Sequence, residues 1–138
     1  MQIGLSWRQI AILAGIGVAL WYAAGLLLHW LAAAGLLQGS TRAAVYALTV
    51  PGTLPFVLLA AGLARLAPDQ RLTGIAIVTT TALLIDGVVV AWFPGVYGDT
   101  AEKVLAASGA VLWGAGVGLA LAALLTRSAS PRPPARGS

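Results

Sequence analysis

Four apolar stretches, at about 10–37, 43–66, 72–93 and 101–125, constrain this chain more than any other feature. Each is long enough to cross a hydrocarbon layer, which takes roughly 20 helical residues at about 1.5 Å each. The first runs from about Ile10 to Leu31, with room to continue to Leu37. Lipid offers the backbone no hydrogen-bond partners, so a crossing segment is a helix or part of a closed barrel. Unbroken runs of this length favour helices. The breaks between them, Gln38-Gly39-Ser40-Thr41-Arg42, Pro68-Asp69-Gln70-Arg71 and Pro94-Gly95-Val96-Tyr97-Gly98-Asp99, are short and made of turn residues. The expected fold is all-α: a four-helix transmembrane bundle, up-and-down, with sequential helices as antiparallel neighbours.

Composition points the same way. Hydrophobic residues make up 59% of the 138 and charged residues 9%, against about 25% charged in a soluble domain. So few polar side chains cannot cover a water-facing surface, and the partner to expect is a lipid bilayer. Residues 1–127 read as one four-span domain. Residues 128–138, all Ser, Pro, Arg, Ala or Gly, read as a disordered cytoplasmic tail. Arg8 ahead of an apolar run resembles a secretory signal. The run is longer than the roughly 7 to 15 residues of a signal core, however, and three more spans follow, so it is expected to stay uncleaved. The absence of cysteine excludes disulfides, thiolate metal sites and cysteine nucleophiles.

Basic residues set the orientation. With four spans, Arg8, Arg65, Arg71, Arg127, Arg132 and Arg136 share one side, and only Arg42 and Lys103 lie on the other. The positive-inside rule places both termini in the cytoplasm of a multi-pass cell-membrane protein. The net charge of +4 is then a topology signal with some attraction to anionic lipid. No basic stripe interleaved with aromatics suggests nucleic acid. Trp7 falls at the cytoplasmic edge, and Trp30, Tyr46, Trp92 and Tyr97 fall near the outer one, where rings sit at headgroup level. Trp92, Phe93, Pro94 and Tyr97 form the expected outer rim of the third span. Trp21 and Trp113 sit mid-span, where an indole N–H needs an acceptor. Packing between helices with the N–H on a carbonyl accounts for that position, as does lining a cavity.

The chemistry concentrates on Asp86, an acid inside the apolar third span. An aspartate at a span centre costs about 2.5 to 3.5 kcal/mol to insert, and each Leu, Ile, Val or Phe returns roughly 0.3 to 0.6 kcal/mol. The ten such residues from Ile75 to Phe93 return roughly 3 to 6 kcal/mol, so the helix inserts despite the acid. Neutralising a carboxyl with a reference pKa near 3.9 at pH 7 costs about 4 kcal/mol, close to the cost of inserting the ion. A partner therefore decides the state, and intramembrane acids usually face a bundle interior. Periodicity puts Thr79, Ala82, Val89, Val90 and Phe93 on the same broad face, with Gly87 beside Asp86 to let a neighbouring helix approach. At the same depth, about 10 Å below the outer end, lie Thr49 and Pro51 in the second span and Ser108 in the fourth. His29 joins them if the first helix continues towards Leu37. His29 is the natural partner, because its charge changes near neutral pH; a first helix ending near Leu31 would instead leave it at the headgroups. The candidate polar site is thus Asp86, His29, Thr49, Ser108 and Thr79.

Pro51 and Pro55 each remove a backbone donor from the second helix, which predicts a kink there. The carbonyls they free are either satisfied by Thr hydroxyls and neighbours or available to a ligand. Gly114 and Gly118 are four apart in the fourth span, which suits close helix packing within the bundle or between two copies in a homodimer.

Leu83-Leu84-Ile85-Asp86-Gly87, followed by Trp92-Phe93-Pro94 and Tyr97, resembles the signature of a family of small four-span bacterial membrane proteins of unknown function. Leu20-Trp21 is similar as well. The resemblance covers about residues 10 to 125 and implies a bacterial inner-membrane location but no activity. The family position matching His29 is often arginine, so a pairing with Asp86 would here depend on pH.

Two classes of function follow. One is an accessory or structural membrane protein with a buried polar network around Asp86. The other is a small proton- or cation-coupled transporter component, single or dimeric, in which Asp86 titrates. An enzyme is not expected, since one His and no Cys leave no nucleophile and base at useful spacing. No cofactor or metal is expected either.

Overall fold

The computed structural model describes residues 4–128. It contains four α-helices, α1 (Trp7–Ala33), α2 (Gly39–Leu63), α3 (Arg71–Trp92) and α4 (Ala101–Ser128), with single 3-10 turns at Pro68–Gln70 and Pro94–Val96. No strand occurs among the described residues. All four helices are long and apolar enough to cross a membrane. The tail expected at 128–138, with Arg132 and Arg136, lies outside the described residues except for Ser128, which ends α4.

The helix ends have local causes. α1 begins at Trp7 because Ser6 and Gln9 form a capping box: the Gln9 N–H donates to Ser6 Oγ (3.1 Å) and the Ser6 N–H to Gln9 Oε1 (2.9 Å). α1 ends at Ala33, short of the expected Leu37. Gly35 takes φ +73°, and the Gly35 and Leu36 N–H groups donate back to Ala32 O (3.1 Å) and Leu31 O (2.9 Å). This is a Schellman cap with glycine at its left-handed position. The apolar Leu36 and Leu37 are therefore a turn, and Leu37 folds back to lie 2% exposed in the core. α2 ends in the same way, with Arg65 N–H on Gly62 O (3.1 Å) and Leu66 N–H on Ala61 O (2.8 Å), but here an arginine holds the left-handed position at φ +51°. α4 starts behind Thr100, whose Oγ1 accepts the Lys103 N–H at 3.2 Å.

Contacts between helix ends show that the directions alternate. At one end, here called proximal, the start of α1 meets the end of α2 through Gln9 Nε2 donating to Ala64 O at 3.2 Å. There too the start of α3 meets the end of α4 through the Leu72 N–H on Thr126 Oγ1 at 3.2 Å. The opposite, distal end holds the α1–α2 and α3–α4 connections.

Of the sequential pairs, only α3 and α4 pack closely as expected. α1 packs chiefly on α3, α3 on α4 and α4 on α2, while α1 and α2 scarcely touch. Small residues select these pairs. A Cβ at Gly17 of α1 would lie 2.7 Å from both Val78 O and Thr81 Cβ of α3, so α1 touches the α3 backbone there. The connection permits this order: five residues, 34–38, could reach up to about 17 Å if extended, well beyond a helix spacing of about 8–10 Å, so they can bridge it while folded as a turn.

Three apolar clusters fill the bundle: two towards the proximal end, Leu13, Ala61, Ala64, Leu66 and Val78 and Val57, Ala60, Ile75 and Ala122, and one, Ala32, Leu37, Val89, Tyr97 and Ala107, at the distal end. The outer faces are equally apolar, with Leu27, Leu48, Phe56, Leu84 and Leu112 all more than half exposed. Only 11–22% of the most apolar stretch of each helix is buried within the chain. Such a surface would aggregate in water and suits acyl chains.

Candidate intramembrane polar site

The site is built where α3 runs out. Phe93 leaves the helix at φ −133° and ψ 50°, and Pro94, which cannot extend the ladder, opens a 3-10 turn closed by the Tyr97 N–H on Pro94 O at 3.0 Å. The turn reverses the chain and returns the Tyr97 side chain into the bundle, where it is 1% exposed. Its ring passes over Gly25 of α1, where a Cβ would stand 4.0 Å from Tyr97 Cε1.

At the tip of that ring three side chains meet. Trp21 Nε1 of α1 donates to the Tyr97 hydroxyl at 3.1 Å, and that hydroxyl donates to Asp86 Oδ1 of α3. The directions are fixed by chemistry, because an indole N–H only donates and a carboxylate only accepts, while a phenol does both. Asp86 is half-buried. The Trp21 side chain also interacts with that carboxylate.

The other expected members of the site spend their hydrogen bonds elsewhere. The His29 ring Nδ1 lies 2.7 Å from Val96 O; a carbonyl only accepts, so this nitrogen carries the proton. His29 is thus level with the α3–α4 connection, and the eight residues from Trp21 to His29 put it about 12 Å above the Trp21 level. Its expected pairing with Asp86 is not formed, because α1 stops at Ala33 and its last turn overshoots the acid. Thr49 Oγ1 donates to Val45 O at 2.8 Å and Ser108 Oγ to Val104 O at 2.7 Å, each within its own helix. Thr79 is half-buried, two turns below Asp86.

Pro51 and Pro55 both lie inside one continuous helix, α2. Thr53 Oγ1 back-bonds to Thr49 O at 2.6 Å, and Trp113 Nε1 donates to Tyr46 O at 3.0 Å. These bonds fall on Thr49 O and Tyr46 O rather than on the carbonyls of Ala47 and Pro51 that the prolines leave without a helical donor, and Trp113 has the acceptor that its mid-span position demanded. Of the expected rim, Trp92 and Phe93 are 71% and 63% exposed and Pro94 is exposed, whereas Tyr97 is buried and belongs to the interior. Gly87 faces outward with nothing within 4 Å of where a Cβ would stand, so it admits no neighbouring helix. Gly118 lies against Thr53 of α2 inside the bundle, at 3.7 Å from the position of a Cβ, and Gly114 meets open space.

Sequence reasoning located Asp86 but missed Tyr97 as its donor. The signal available was Trp21, an indole in mid-span that needed an acceptor. Compared with family models, curated proteins and solved structures, the chain matches none of them. No group of three or more metal-ligating side chains occurs among the described residues. What the arrangement can do chemically is hold one half-buried carboxylate with the neutral donors Tyr97 and Trp21 and leave it partly accessible to a proton, a cation or water.

Proposed function

We propose that the chain is a multi-pass cell-membrane protein with both termini cytoplasmic, and that it serves as an accessory or structural component rather than as an enzyme. The chain of hydrogen bonds from Trp21 through Tyr97 to Asp86 carries this reading. It ties α1, α3 and the α3–α4 connection to one acid and gives that acid a structural use. The apolar outer faces support the membrane location, and the excess of arginine at the proximal end supports the orientation.

A second reading rests on the partial exposure of Asp86: a small proton- or cation-coupled transporter component in which that carboxylate titrates. Proteoliposome flux separates the two. For the structural role, the wild type carries no flux that depends on Asp86, and Asp86→Asn lowers the melting temperature in detergent. A proton or cation flux abolished by Asp86→Asn in a variant that melts like the wild type would overturn the structural role.

A further inference from the structure

Two hollows meet at His29. One, of about 150 Å³, is lined by His29, Ala33, Gly98, Asp99 and Lys103. The other is a groove of about 380 Å³ lined by Leu26, Leu27, His29 and Trp30, on a face of α1 where both leucines and the tryptophan are more than half exposed. A hollow rimmed by the polar groups of Asp99, Lys103 and His29 and an apolar groove that share His29 suit an amphiphile, and they lie at the distal end, where headgroups sit if the helices cross a membrane.

We propose that this end of α1, with the start of α4, binds a phospholipid whose headgroup carries a primary amine, the phosphoethanolamine type. The assignment rests on the membrane reading above. Lys103 Nζ donates to Asp99 Oδ1 at 2.8 Å, which leaves two of its three N–H donors for a phosphate. Asp99 is exposed, and the hydrogen bond and charge of Lys103 hold its carboxyl below the usual range, so it stays an acceptor at neutral pH. His29 gives its Nδ1 proton to Val96 O, so in the neutral ring Nε2 is a second acceptor. One cationic donor beside two acceptors complements a phosphate joined to an ammonium. A choline headgroup offers no N–H to the acceptors, and a glycerol headgroup offers them no positive charge. The groove along Leu26, Leu27 and Trp30 takes an acyl chain.

The test is a titration of the purified full chain in detergent, followed by native mass spectrometry, with phosphatidylethanolamine, phosphatidylcholine and phosphatidylglycerol of matched acyl chains and with chainless glycerophosphoethanolamine. Phosphatidylethanolamine is expected to bind about tenfold more tightly than phosphatidylcholine; Asp99→Asn is expected to remove about that factor, and Lys103→Gln to weaken all three lipids by about as much. Both variants should melt like the wild type, since the ion pair is at the surface. Equal affinity for the three lipids, or an affinity that neither variant changes, overturns the proposal. Glycerophosphoethanolamine binding as tightly as the lipid overturns the lipid source and leaves a soluble phosphoamine as the ligand. Alkaline carbonate extraction of native membranes separates the two failures: a released chain sinks the membrane reading itself, and a retained chain without selectivity sinks only the lipid site.

Discussion

An acid in an apolar helix needs a donor at its own depth, and Tyr97 reaches Asp86 from a connection rather than from another span. Removing that hydroxyl with Tyr97→Phe leaves a half-buried carboxylate oxygen unpaired, which should lower stability in detergent by about 1–3 kcal/mol. Asp86→Asn should cost a comparable amount, and the double variant less than the sum, with a coupling of about 0.5–3 kcal/mol. Denaturation of the four proteins of that cycle checks it, and simple additivity would remove the bond from the account. His29→Leu combined with Asp86→Asn should be additive, because His29 bonds to Val96 O and lies well above the acid. Asp86 was legible because a single acid stands out in an apolar run, and Trp21 because a mid-span indole demands an acceptor. Tyr97 was not, since helical periodicity says nothing beyond Phe93 and a tyrosine after a span also suits the headgroups. Arg65 gives a second residue-scale prediction. Its left-handed φ of +51° carries a Cβ penalty of about 1–2 kcal/mol that glycine avoids. Arg65→Gly should therefore raise stability by up to about 1 kcal/mol, the greater freedom of glycine in the unfolded chain offsetting the rest. A lowered melting temperature would mean that the arginine side chain matters more than its backbone.

Among the elements, the four helices follow from apolar length alone, but their neighbours do not. Apolar stretches record which segments avoid water, whereas the choice of partner depends on which glycine meets which backbone. Of the many glycines, Gly17 makes the close contact, and nothing in its spacing distinguishes it from Gly87 or Gly114, which face open space. Hence the expected antiparallel neighbours α1 and α2 lie apart, and α1 seats on α3. Helix ends were misjudged for a related reason: Ser6 to Gln9 is a capping signature ahead of the apolar run, and Gly35 stops α1 inside it. Gly17→Ala must push Val78 O and Thr81 away from a Cβ 2.7 Å off, and an overpacked contact of this kind costs about 1–3 kcal/mol. Gly87→Ala and Gly114→Ala should instead be neutral or stabilising by up to about 1 kcal/mol, from helix propensity alone. Thermal melts of the three alanine variants check the ordering, and a tolerated Gly17→Ala would show that α1 and α3 can move apart without loss.

At the scale of the whole molecule, the two ends differ in charge and in what holds them. The proximal end is tied by neutral groups. Gln9 Nε2 reaches Ala64 O, and Gln70 accepts the Ala67 N–H on its Oε1 at 2.9 Å while its Nε2 donates to Gly4 O. The arginines Arg8, Arg65, Arg71 and Arg127 of that end form no ion pair among the described residues, where Lys103 and Asp99 at the distal end make the one salt bridge. Unpaired basic charge is costly to carry across a bilayer, so this asymmetry should fix the proximal end in the cytoplasm. The absence of native cysteine makes the orientation directly measurable with single introduced thiols. Asp69 and Thr41 are exposed at opposite ends. In intact cells a membrane-impermeant maleimide should label Thr41→Cys at once and Asp69→Cys only after permeabilisation. The reverse pattern would invert the topology and place Tyr97, His29 and Asp86 towards the cytoplasm. Labelling of both positions in intact cells would mean that the helices do not cross as a four-span unit.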